Sequence, residues 1–263
     1  MRESGPVDAP AIVFLHGGYM SGWSWEPVVE RMRQRYHCLV LDLPQFGKSA
    51  EQRPFEMGRA AGAVAELIRS RVGNGRAHLV GFSLGAQVGV QLLATEPELV
   101  DRAVLCGTPI NAMPGIRFSQ FLLARLTPTR WFQWVIKLHW STRHARLPFP
   151  KTVDYQEDAR LMTGAQLANV VMASAGFAIP EGLDKSESRA LFLTGADELA
   201  ITRRWAASLA QTMHNGVDGV AIGMRHDWPL RCPELFSCTV DRWFSDTALP
   251  SEIGLVKSGS SFR

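Results

Sequence analysis

No stretch of the 263-residue sequence approaches the roughly 18 to 20 apolar residues of a membrane span. The first fifteen residues have no basic start, long apolar run or small-residue cleavage site, which argues against a secretory signal. Cysteine is scarce, and none of the four (Cys38, Cys106, Cys232, Cys238) stands in C-x-x-C spacing. They read as reduced thiols, two of them in apolar strand patterns, so the expected location is cytoplasmic. No cysteine–histidine cluster suggests zinc, and there is no internal repeat or low-complexity block. With 46% hydrophobic and 20% charged residues, the composition excludes a disordered chain and fits one sizeable globular domain.

Acidic residues are missing from one long stretch. Between Arg102 and Val153 there is no Asp or Glu, but there are eight cations (Arg102, Arg117, Arg125, Arg130, Lys137, Arg143, Arg146, Lys151). The chain as a whole carries +3, which leaves −5 for everything outside that stretch. The charge is therefore polarised along the chain. Phe118, Phe121, Trp131, Phe132, Trp134 and Trp140 are interleaved with the cations. Inner apolar faces roofing an acyl pocket, with solvated arginines outside, are the favoured reading. Weak contact with an anionic membrane surface is the other. No recognition motif accompanies the charge, so nucleic acid is not an expected partner.

What the sequence does have is centred on Ser83. An apolar strand, Ala77 to Val80, runs into Gly81-Phe82-Ser83-Leu84-Gly85, and a helical pattern with Val88, Leu92 and Leu93 follows. A G-x-S-x-G in the context of strand, turn and helix is a nucleophile elbow. Side chains two residues before or after the serine would collide with the adjoining strand and helix, which accounts for both glycines. The helix N-terminus beneath the hydroxyl favours negative charge.

Taken in order, the chain alternates strand and helix. Ala11 to Leu15 is a strand ending in His16-Gly17-Gly18-Tyr19, and Cys38 to Leu41 is a second, leading into Asp42-Leu43-Pro44. Residues 56 to 71 form an amphipathic helix, and the elbow strand follows. Ala103 to Cys106, residues 189 to 195 and Val217 to Ile222 complete about six strands, and a last helix starts near Pro233. The alternation predicts an α/β fold, a mainly parallel sheet with helices on both faces and ligands at the strand carboxyl ends. It breaks at residues 108–185, where helical segments near 115–126, 130–140 and 156–175 predict a lid inserted over Ser83. The core is then 1–107 with 186–246, and the polar tail 247–263 is expected to fray.

A serine hydroxyl needs a base, and the base needs a group to orient it. Of the seven histidines, only His226 lies in a strand-end loop late in the chain. The acid is Glu198 or Asp197, both in the loop that ends the 189–195 strand. The backbone N–H groups of Leu84 and Gly18 are candidates for an oxyanion hole, Gly18 because close backbone approach excludes a side chain.

These residues resemble the α/β-hydrolase superfamily over nearly the whole chain. The likeness rests on His16-Gly17-Gly18, the Asp42-Leu43-Pro44-x-x-Gly47-x-Ser49 loop, the elbow, the 195–198 loop and His226, in the order serine, acid, histidine. The Gly-Tyr-Met-Ser-Gly-Trp-Ser-Trp stretch looks like carboxylesterases and the methylesterase/hydroxynitrile-lyase branch. The resemblance implies a Ser83–His226–acid hydrolase with a Gly18 and Leu84 oxyanion hole and a lid domain. It implies no metal or organic cofactor. The family's usual acid motif, Gly-x-x-Asp, counted from Gly195 falls on Glu198 and favours it over Asp197. Family members commonly open with an antiparallel hairpin, for which this chain has room for at most a fragment.

The expected activity is hydrolysis of carboxylic esters of hydrophobic acyl or alcohol groups, so the expected partner is a small hydrophobic ester. The same residues would serve a lactonase, a thioesterase or a C–C bond hydrolase. A non-catalytic small-ligand receptor retaining the pocket is the reading of another class.

Overall fold

The computed structural model describes residues 1–51, 54–110 and 162–256, together with Thr129, Trp131 and Asp158. Eight strands form one sheet in the order β1-β3-β2-β4-β5-β6-β7-β8. They are β1 (Arg2–Ser4), β2 (Ala11–Leu15), β3 (His37–Leu41), β4 (Ala77–Phe82), β5 (Val100–Cys106), β6 (Arg189–Gly195), β7 (Gly216–Ala221) and β8 (Ile253–Val256). β2 to β7 run parallel, and β1 and β8 pair antiparallel at the two edges.

Strands covered on both faces should read as continuous apolar runs. All five residues of β2 and all six of β4 are buried. Alternate side chains serve two separate cores. Val13, Leu39, Leu79, Leu105 and Phe192 pack under α2 (Met57–Arg71), α3 (Leu84–Thr95) and α5 (Ala200–Thr212). Ile12, Val40, Val80, Val104 and Leu191 meet α1 (Glu26–Met32) and α7 (Pro233–Phe244) on the opposite face.

Both edge strands go beyond the six expected. β1 is three residues long, with two exposed and one half-buried, so it carries no apolar pattern to read. β8 lies inside the tail that was expected to fray. Its residues cover the otherwise open edge of β7, with Ile253 buried opposite Ala221, and an unpaired strand edge is a liability that such a cover removes.

Of the expected insertion, the segment near 115–126 and, apart from Trp131, the segment near 130–140 lie outside the described residues. The described part of the third is α4 (Gly164–Ala175), which a capping box starts. The Thr163 hydroxyl accepts from the Gln166 backbone N–H, and the Gln166 side chain accepts from the Thr163 N–H at 2.7 Å. Polar contacts then tie this part of the chain to the core. Gln166 donates to the Ala50 carbonyl after β3, and the Trp23 indole donates to Asp158 at 2.7 Å. The last short helix, α6 (Trp228–Arg231), precedes α7. No helix among the described residues is long and apolar enough to cross a membrane.

Candidate active site

Ser83 sits between β4 and α3 with φ 51° and ψ −109°, a conformation that a side chain adopts only under strain, about 1 to 3 kcal/mol. Two features hold it there. Its N–H donates to the Cys106 carbonyl at 2.8 Å, and its own carbonyl accepts from Gln87 N–H at 3.1 Å. The flanking glycines answer to the crowding anticipated for them. A Cβ on Gly81 would lie 2.8 Å from Ala86 Cα, and one on Gly85 would lie 2.2 Å from the Leu15 carbonyl oxygen. Ser83 itself is half-buried at the N-cap of α3, with Leu84 the first residue of the helix.

The His226 loop comes from the other side. After β7 the chain crosses the end of β6, so close that a Cβ on Gly195 would meet the Met224 carbonyl oxygen at 2.3 Å. The Asp197 N–H donates to that same carbonyl at 2.9 Å. His226 Nδ1 then faces Glu198 Oε2 at 2.9 Å. The two partners differ sharply in exposure: the Glu198 side chain is 3% accessible and that of His226 is 44%. The other carboxylate oxygen of Glu198 accepts from the Gly195 N–H at 2.8 Å, which fixes the carboxylate plane. Asp197 is exposed and contributes its backbone to the loop. The spacing in the sequence left the two acids open, and the geometry puts Glu198 on the imidazole.

Sequence reasoning missed the residue beneath that ring. Gly107, directly after β5, has φ +62°, and a Cβ there would lie 2.6 Å from His226 Cε1 and 2.8 Å from Nδ1. The imidazole therefore rests on bare backbone, flanked by the Phe82 ring at 5.0 Å between centroids. Phe82 immediately precedes Ser83, so strand, serine and histidine share one corner. The only signal in the sequence was a glycine ending an apolar strand.

The turn after β2 supplies the third wall. His16 is fully buried, and its pKa is lowered to about 4, mainly by burial. The Leu43 N–H donates to its Nε2 at 3.0 Å, so the proton is on Nδ1, which donates to the Gly17 carbonyl at 2.8 Å. Asp42 works beside it, accepting from the Gly22 and Lys48 N–H groups at 2.8 and 3.2 Å. The two successive glycines have different surroundings. The crowded glycine is Gly17, whose Cβ would lie 2.8 Å from the Phe82 ring, whereas a Cβ on Gly18 would meet nothing within 4 Å. Gly18 is thus half-buried beside open space, and Tyr19 after it holds φ 63°. Among the described residues no group of three or more His, Cys, Asp and Glu side chains is placed to hold a metal ion.

A strained serine at a strand-to-helix turn and a histidine–carboxylate pair, at the carboxyl ends of a largely parallel sheet, define a class. This chain belongs to the alpha/beta hydrolase fold family, whose model matches residues 10–188. Over 251 residues it is 26% identical to an AB hydrolase superfamily protein of Gibberella zeae, a match covering 91% of this chain and 82% of that one. Over 108 residues it is 35% identical to the pimeloyl-[acyl-carrier protein] methyl ester esterase of Methylococcus capsulatus, covering 40% of this chain and 41% of the relative. Among solved structures, a hydrolase of Pseudomonas aeruginosa superposes with a TM-score of 0.77 at 17% identity, over 92% of each chain.

Proposed function

We propose that this hydrolase-family chain is a serine esterase that cleaves carboxylic esters of hydrophobic acyl or alcohol groups. The observation that carries the reading is the 2.9 Å contact between His226 Nδ1 and the buried Glu198 carboxylate. A carboxylate on Nδ1 keeps the proton on that nitrogen and leaves the Nε2 lone pair as a base. Ser83 Oγ attacks the ester carbonyl while its proton passes to His226 Nε2. Glu198 stabilises the imidazolium that forms. The Leu84 and Gly18 amides stabilise the oxyanion, Leu84 with the added field of the α3 N-terminus. The tetrahedral intermediate collapses, the C–O bond breaks, and the imidazolium gives its proton to the departing alcohol. Water, deprotonated by His226, then attacks the acyl-enzyme and releases the acid and Ser83.

The described ends of the insertion are apolar, in keeping with a hydrophobic substrate. Ile110, Val170 and Phe177, at the two described ends of the insertion, are buried in the core cluster that contains Leu84. In this reading the 108–185 insertion is a lid over Ser83. The methyl ester esterase name of one relative agrees with the bond to be broken. Replacing Ser83 by Ala should lower kcat with p-nitrophenyl butyrate by roughly a thousandfold or more. Hydrolysis by Ser83→Ala at the wild-type rate would refute the assignment.

A further inference from the structure

Gln87 lies one turn into α3, four residues after Ser83, and is fully buried. Its Nε2 donates to two carbonyls, Pro109 at 2.8 Å and Ser174 at 2.9 Å. Those carbonyls stand at opposite ends of the insertion. Pro109 is two residues past Gly107, where the chain leaves the sheet, and Ser174 is in the last turn of α4, before the chain returns to β6. One amide therefore joins the helix of the candidate nucleophile to the exit and the re-entry of a segment 65 residues apart in sequence. Few side chains can do this. Asn is too short to reach, an ionised carboxylate has no donor, and an apolar isostere removes both bonds.

We propose that Gln87 is a positioning residue, which anchors both ends of the insertion to α3 and so fixes how those ends sit against the helix that starts at Ser83. The effect on catalysis rests on the reading of Ser83 as nucleophile; the anchoring does not. Ser83 is held by the Cys106 carbonyl and by the Gln87 backbone N–H, and neither contact uses the Gln87 side chain. Losing the anchor should therefore act on the part of the substrate that reaches the insertion more than on the reacting carbon.

Two near-isosteric variants test this. In Gln87→Met, backbone hydrogen exchange of residues 164–175 should accelerate about tenfold while exchange in β4 and β5 does not change. The ratio of kcat/KM for p-nitrophenyl octanoate to that for p-nitrophenyl acetate should fall about tenfold, through KM for the octanoate. In Gln87→Glu the carboxyl, facing two carbonyl oxygens in a buried site, is pushed toward its protonated form and can donate one bond in place of two. Its octanoate-to-acetate ratio should lie between wild type and Gln87→Met at low pH and drop as the carboxyl ionises, over a range where the wild-type ratio is flat. Unchanged α4 exchange in Gln87→Met overturns the anchoring, whether or not any ester is turned over. Faster α4 exchange with wild-type ester ratios in both variants overturns the positioning role. A wild-type protein that neither hydrolyses esters nor reacts with a fluorophosphonate refutes the Ser83 reading instead, and the exchange comparison still decides the anchor.

Discussion

His16 and His226 leave the same end of the sheet, in the loops after β2 and β7, and their surroundings differ at every point. His16 is fully buried, both ring nitrogens are committed to backbone groups, and burial holds its pKa near 4. His226 is 44% accessible, with one nitrogen on a carboxylate that is itself 97% buried. The first ring is a strut that ties the β2 turn to the β3 loop. The second has a buried partner and an open side, which is what a proton carrier needs. A histidine next to a glycine turn is thus no guide to chemistry until the partners of both nitrogens are known.

The largest effect should come from removing the second ring. His226→Ala should lower kcat with p-nitrophenyl butyrate roughly a thousandfold or more, with Tm within about 3 °C of wild type, because the ring is half open to solvent. A variant retaining a tenth of wild-type kcat would erase the distinction between the two histidines.

The converse holds for His16. His16→Ala removes a buried ring and leaves the Leu43 N–H and the Gly17 carbonyl without partners, at a cost of about 3 kcal/mol. Thermal melts should show Tm lower by about 6 to 12 °C, with a far smaller loss of kcat than His226→Ala. The pH dependence has a definite sign. The folded value of about 4 lies below the ordinary 6.5, so on acidification the unfolded chain binds the proton first. Stability associated with the neutral ring is present above pH 6.5 and is lost as pH falls toward 4, and His16→Ala should flatten that part of the wild-type curve. Parallel curves for the two proteins would contradict it.

The smallest effect separates two carboxylates. Glu198 is matched by His226 Nδ1 and the Gly195 N–H, whereas Asp218, buried on β7, has an oxygen with no partner among the described residues. Burial raises Asp218 to about 6 from its ordinary 3.8. A raised value means that the folded state keeps the proton longer, so stability is lost as pH rises from 3.8 through 6. Asp218→Asn should therefore stabilise the protein at pH 8, by on the order of 1 to 2 kcal/mol or a few degrees in Tm, and change nothing at pH 3.5. An equal shift at both pH values would mean that packing, not charge, sets the effect.

Much of this was legible in the sequence, for identifiable reasons. The elbow could be read because its two glycines answer to local sterics, and a strand and a helix flank it. His226 could be read by position, as a late strand-end histidine. The acid could not be settled, because Asp197 and Glu198 are adjacent and only the turn at Gly195 decides which one points inward. Gly107 was invisible because what it supports arrives from a loop more than a hundred residues later. The edge strands were missed because they bury little: Arg2–Ser4 is polar, and Ile253–Val256 is short and contains Gly254.

The central claim is that a buried Glu198 turns His226 into the base for Ser83. It is tested most directly by kcat for p-nitrophenyl butyrate in Glu198→Gln beside Asp197→Asn. The amide keeps the shape of the side chain but removes the charge that holds the imidazole tautomer, so kcat should fall by about a hundredfold to ten-thousandfold in Glu198→Gln and by less than about threefold in Asp197→Asn. A large loss in Asp197→Asn with near-wild-type kcat in Glu198→Gln would contradict the account.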